Sequence, residues 1–128
     1  MANFLLDSSV IIDFLNRRKN RPQLLSQLHK EGHNFACCAI NVAEIYAGLL
    51  PKEEAGALEF LESLEYYDID FDVAALSGKI RQEFRKKGIT LATTDTIIAA
   101  VAVYYDLTLI TDNVKDFPMK EIKLYKGG

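Results

Sequence analysis

Carboxylates stand at the points of this 128-residue chain where short apolar runs give way to helical patterns. Asp7 directly follows Phe4-Leu5-Leu6, which reads as a first strand, and Asp112 and Asp116 follow the strand-like run Leu107–Ile110. Glu44 falls in the first turn of the helix expected after a second strand, and Asp95 in the first turn of a later, strongly apolar helix. Singly, each has an ordinary explanation, because an acid in a first helical turn gains roughly 0.3–1 kcal/mol from the macrodipole. Their combination asks for more. If the strands run parallel, all of these groups face one edge of the sheet, where ligands bind in open α/β folds. Carboxylates about 4 Å apart repel by about 4 kcal/mol per pair at an effective dielectric near 20. Protons can neutralise such a cluster, but hard divalent cations with oxygen ligands are the common solution. No histidine or thiol accompanies these acids, so the donor set favours Mg2+ or Mn2+ over zinc. Such an ion activates bound water and stabilises charge on a phosphoryl group, which is the chemistry of phosphodiester hydrolysis.

The elements that must position these acids can be read from periodicity. Ser8-Ser9 can cap a helix with an apolar face of Val10, Ile11, Phe14 and Leu15. Leu24, Leu25 and Leu28 mark a second helix after Arg21-Pro22, stopped by Gly32. Asn34–Cys38 reads as a second strand, and Asn41 as the cap of a helix through Val42, Ile45, Tyr46 and Leu49. Leu58, Leu61 and Leu64 repeat at helical spacing, Ile69 suggests an edge strand, and Asp72 is expected to cap a helix running to Gly88. Thr94-Asp95 opens a helix that is apolar nearly all round, the pattern of a buried central helix. Leu107–Ile110 and Ile122–Tyr125 complete the strands. Strands alternating with helices predict an α/β fold with a small, mostly parallel sheet. One domain is expected over residues 1–128.

Composition excludes several classes. Hydrophobic residues make up 49% and charged residues 26%, the balance of a globular protein rather than a disordered or coiled-coil one. The net charge of −3 hides a split: Lys52–Asp72 carries −7 and the rest of the chain +4, so the sum does not argue against a nucleic-acid partner. Residues 1–7 lack the pattern of a signal peptide, and the longest apolar run, Ile97–Tyr105, is nine residues, too short to span a membrane. Adjacent Cys37 and Cys38 read as buried thiols of a cytoplasmic protein. Ser8 and Ser9 lack a histidine partner in context, and the seven glycines form no phosphate-cradling loop. His29 and His33 have metal-pair spacing, but Gly32 interrupts their helix. A phosphoacceptor receiver domain would need an aspartate after the central strand, where Cys37-Cys38-Ala39 offers none.

Four segments, in order, closely resemble the signature segments of PIN domains, and length and order resemble the VapC toxins of toxin–antitoxin pairs. They are Leu5–Ile12, Asn41–Leu49, Asp95–Ala100 and Leu109–Phe117. The resemblance covers essentially the whole chain and implies a three-layer α/β/α fold and a metal-dependent endoribonuclease. By that resemblance Asp7, Glu44 and Asp95 match the core metal-binding acids, Ser9 the hydroxyl residue two positions after the first acid, and Thr111 the hydroxyl opening the last motif. Asn113 stands where many PIN domains have an aspartate. Asp116 therefore ranks as the fourth acid ahead of Asp112, with Asn113 a neutral neighbour or ligand. The resemblance also implies an RNA substrate, a homodimer and a small VapB-like antitoxin.

Other features have two readings. The basic residues Arg17, Arg18, Lys19 and Arg21, and Arg81, Arg85, Lys86 and Lys87, are either solvated helix ends or a rim for RNA phosphates. Lys115, beside the fourth acid, is the base most expected near a bound strand. The acidic helix Lys52–Tyr67 is a solvated face or an antitoxin docking surface. A nuclease without an antitoxin, or a catalytically inactive module that binds RNA or protein, are the competing functions, the latter supported by Asn113 alone.

Overall fold

The computed structural model describes residues 2–126; Met1, Gly127 and Gly128, the ends of the expected domain, lie outside the described residues. Five strands form one sheet in the order β3-β2-β1-β4-β5, with every pairing parallel. They are β1 (Asn3–Leu6), β2 (Asn34–Cys38), β3 (Glu65–Tyr67), β4 (Thr108–Ile110) and β5 (Lys123–Leu124). Six helices connect them: α1 (Ser8–Leu15), α2 (Arg21–Lys30), α3 (Ala39–Ala47), α4 (Glu54–Glu62), α5 (Phe71–Lys86) and α6 (Thr93–Tyr104).

Strand alternation divides the core into two layers. Phe4, Leu6, Cys37 and Ile110 meet Val10, Leu25, Ile45 and Leu61 from the first four helices on one face. Leu5, Ala36, Cys38 and Leu109 meet Val73, Ile80 and the buried run Ile98–Ala102 of α5 and α6 on the other. The result is the expected α/β/α arrangement, with the middle of α6, residues 98–102, buried between α5 and the sheet. Because β1 pairs with β2 on one side and β4 on the other, chain direction across the sheet reverses beside β1. The switch point therefore opens at the carboxyl ends of β1 and β4.

Several boundaries differ from the sequence reading. Asp7, not the Ser8-Ser9 pair, caps α1, its side chain accepting from the Ser8 amide at 2.8 Å. Cys38 occupies the cap position of α3, so Asn41 lies inside the first turn and Glu44 in the second. Asp70 replaces Asp72 as the cap of α5, accepting from the Val73 amide at 3.0 Å. In each case the helix begins one to three residues earlier than the sequence reading placed it. The edge strand is Glu65–Tyr67 and stops before Ile69. His33 is no partner for His29: its Nδ1 accepts from the Ala2 amide at 2.9 Å, and Gly32, at φ 89°, ends the helix between them.

Burial pushes the Cys37 thiol up to about 11, with neighbouring Cys38 adding to the rise. The folded chain thus holds this proton to a higher pH than the unfolded chain, and loses that share of stability as pH rises from about 9 through about 11. Alkylation with iodoacetamide at pH 8 is expected to be negligible for the native protein and complete within minutes in denaturant. Rapid native labelling of Cys37 would contradict its 1% exposure.

Candidate active site

Asp7 lies at the centre of the acidic edge. Its amide donates to the Ile110 carbonyl at 2.9 Å, extending the β1–β4 ladder by one rung beyond Leu6. The Thr111 hydroxyl donates to Oδ2 at 2.6 Å while the Ser8 amide donates to Oδ1, so both carboxylate oxygens are anchored. Thr111 is itself oriented by the Asn113 amide, which donates to its Oγ1 at 3.0 Å. Burial pushes the Asp7 carboxyl above its ordinary range; Thr111 and Ser8 pull it back, and the charges of Glu44 and Asp112 push it up again.

Glu44 comes from α3 and is exposed, contrary to the expectation that it borders the interior. Its Oε1 accepts from the Ser8 hydroxyl at 2.6 Å. Asp95 projects from the first turn of α6 and is half-buried. Burial raises its carboxyl pKa, and Asp116, Asp7 and Glu44, in that order, raise it further. Asp116 ends a short 3-10 turn, Val114–Asp116, held against the domain by the buried Phe117. The charges of Asp116, Asp7 and Glu44, from three separate segments, thus all reach Asp95.

Asp112 behaves differently. It pairs with Arg21 and, at 3.6 Å, with Lys19, which also reaches Asp13 at 3.5 Å. Those cations compensate Asp112, whereas Asp116 has no ion-pair partner among the described residues. Arg21 is thus engaged as part of an ion-pair network, and Arg81 donates to the Leu91 carbonyl at 2.9 Å, so neither is a free rim cation. Asn113 is exposed and contributes its backbone amide. Ser9 is half-buried, and its hydroxyl oxygen has no hydrogen-bond partner among the described residues.

Sequence reasoning missed two polar residues here. Ser8, buried, links Glu44 to Asn41, and Asn41 is completely buried with its amide donating to Ser8 Oγ at 3.0 Å. The i, i+3 spacing of Asn41 and Glu44 was the available signal, since it places both on one helical face. Reading Asn41 as a cap obscured it.

Among the described residues, no three histidine, cysteine or carboxylate side chains converge closely enough to hold an ion as arranged. The acids are coupled through their charges rather than by contact. Their chemistry fits a hard divalent cation. The donors are all oxygen, and a buried hydroxyl lacking a partner, as at Ser9, costs about 1–3 kcal/mol unless something else satisfies it.

Fold and site together define a parallel α/β domain with acidic side chains at its switch point. The PIN domain family model matches residues 4–120. Ribonuclease VapC2 from Haemophilus influenzae is 30% identical over 122 residues, covering 91% of this chain and 91% of that protein. Among solved structures, a chain of VapBC2 from Rickettsia felis, crystallised bound to a DNA fragment from their promoter, superposes with a TM-score of 0.83. It is 26% identical and the match covers 96% of this chain and 97% of that one. A chain of a toxin-antitoxin complex from Klebsiella pneumoniae gives 0.76 at 28% identity, over 95% of each chain. The chain belongs to the PIN domain family, among its VapC ribonucleases.

Proposed function

We propose that this PIN-type endoribonuclease, the toxin of a toxin–antitoxin pair, cleaves RNA with Mg2+ or Mn2+ held by Asp7, Glu44, Asp95 and Asp116. The observation that carries this reading is the anchoring of Asp7 from both oxygens at the switch point, supported by the charges of Asp116, Asp7 and Glu44 raising the Asp95 carboxyl. When bound, the ion would supply an activated water and offset charge on the phosphoryl oxygens. Thr111 and the Ser8 amide hold the Asp7 carboxylate in one orientation, so little is reorganised when charge develops nearby. Burial of Asp7 lowers the local dielectric and strengthens its attraction for a cation. Glu44 is exposed and Asp95 and Asp116 are half-buried, so these acids remain accessible to a phosphodiester strand.

A VapB-like antitoxin is the partner. A cavity of about 830 Å3 bounded by Phe14, Phe35, Phe60 and Glu59 supports contact on the α1–α2–α4 layer, including part of the acidic helix. The exposed Phe71 and Tyr104 on the opposite layer support a homodimer, and the free thiols of Cys37 and Cys38 support a reducing, cytoplasmic setting. No helix among the described residues is long and apolar enough to cross a membrane.

The test uses antitoxin-free protein and an end-labelled structured RNA. Cleavage with Mn2+ is expected to fall at least about 100-fold in excess EDTA, the scale of a lost electrostatic group, and to return when Mn2+ exceeds the chelator. Undiminished cleavage in EDTA would remove the metal. Binding of RNA without cleavage under every metal condition would return the chain to an inactive binding module.

A further inference from the structure

Asn41 is completely buried, and its hydrogen-bond partners all lie within the domain. Its Oδ1 accepts from the Cys38 amide at 2.9 Å, and its Nδ2 donates to the Leu6 carbonyl at 3.1 Å. The paired residues of β1 and β2 run only as far as Leu5 and Ala36. Beyond them the carboxamide sits between the two strand ends and supplies the peptide-like bonds that a further rung would have made. Those partners also fix which way the amide points, because its oxygen must face an N–H and its nitrogen a C=O.

The second Nδ2 hydrogen goes to Ser8 Oγ at 3.0 Å. A serine hydroxyl has one proton, and with an incoming donor on one lone pair that proton must be given elsewhere. It goes to Glu44 Oε1 at 2.6 Å. Direction therefore passes from the backbone of β1 and β2, through Asn41 and Ser8, to a carboxylate on the surface of α3. Glu44 is exposed, and without such a tether its long side chain would sample several rotamers.

We infer that Ser8 and Asn41 are positioning residues that hold the Glu44 carboxylate toward the site of the divalent ion. This rests on the metal-dependent reading of the acidic edge. Outer partners of metal-binding carboxylates set the orientation of the ligand, and their loss typically costs about 10–100-fold in metal affinity or activity. Ser8→Ala removes the link while leaving the Asp7 cap and the Asn41 bonds to Cys38 and Leu6 in place. Asn41→Asp replaces a donor by an acceptor, so the Ser8 proton turns away from Glu44; its buried charge can also disturb folding, and the Ser8 variants carry the decision.

Mn2+ binding is measured by calorimetry on the antitoxin-free protein, with RNA cleavage measured alongside. Ser8→Ala is expected to bind Mn2+ about 10–100-fold more weakly and to lose kcat with an unchanged KM for RNA. It should still melt cooperatively, at a lower metal-free Tm because buried Asn41 loses one acceptor. Ser8→Thr, which keeps the hydroxyl, is expected to restore most of the affinity. Parental Mn2+ affinity in Ser8→Ala overturns the inference, as does a Ser8→Thr as weak as the alanine. If the parent itself binds no Mn2+, the metal reading fails together with the relay. Parental binding with an indifferent Ser8→Ala removes the relay alone.

Discussion

Asp7→Asn is expected to lower RNA cleavage by about 10²- to 10³-fold or more while raising the Tm of the metal-free protein. The two effects share one cause. Asp7 is 8% exposed, and burial raises its carboxyl pKa before Glu44 and Asp112 raise it further. The folded chain thus binds its proton more tightly than the unfolded chain, and stability associated with that proton is lost as pH rises through the folded value. At neutral pH the ionised carboxylate opposes folding, and a neutral asparagine of the same shape relieves it. The gain should shrink as the pH falls through the raised Asp7 pKa, below which the parent's carboxyl is protonated too. Mn2+ reverses the order by mass action, raising the Tm of the parent and leaving the variant where it was. Calorimetric melts at pH 4 and 7, with and without Mn2+, check every arm. Parental cleavage by Asp7→Asn would remove Asp7 from the site. A lower metal-free Tm at pH 7 would show that its hydrogen bonds to Thr111 and Ser8 outweigh the burial of its charge.

The second large effect falls on stability. Leu5→Ala is expected to cost 2–5 kcal/mol, roughly a third of what holds a domain of this size together. Leu5 has no exposure and lies in the central strand, paired with Ala36 on one side and Leu109 on the other. One of its ladder neighbours is already small, and the α6 residues over it are held by their own packing, so the space left by its side chain has little to collapse into. Urea titration should show a lower midpoint with an unchanged slope. Residual RNA cleavage should be lost at the same urea concentration, because Asp7 is carried two residues farther along this strand. A cost under about 1 kcal/mol would mean that the layer over Leu5 repacks freely.

The local periodicities were legible because each helix and strand buries one face. Val10, Ile11, Leu25, Leu28, Val73 and Ile80 all lie in the core that their spacing implies. Helix starts were less legible. At α3 and α5 the sequence reading chose Asn41 and Asp72, whereas backbone direction changes at Cys38 and Asp70. A polar side chain near a helix start can cap, pair or bridge, and only its neighbours in space choose among these.

The same distinction runs through the site. Sequence by itself determined the inventory of acids, their placement after strands and in early helical turns, and an oxygen-only set of candidate ligands in Asp7, Glu44, Asp95 and Asp116. Tertiary structure decided which partners each acid has. Asp112 is compensated by Arg21 and Lys19, which arrive from the α1–α2 connection; Asp116 is set against Asp95; Thr111 reaches Asp7 across 104 residues and Ser8 reaches Glu44 across 36. Side-chain type and spacing are properties of one segment, so a single sequence displays them. A hydrogen bond between segments depends on the register of parallel strands joined by whole helices, and that register exists only once both faces of the sheet are covered.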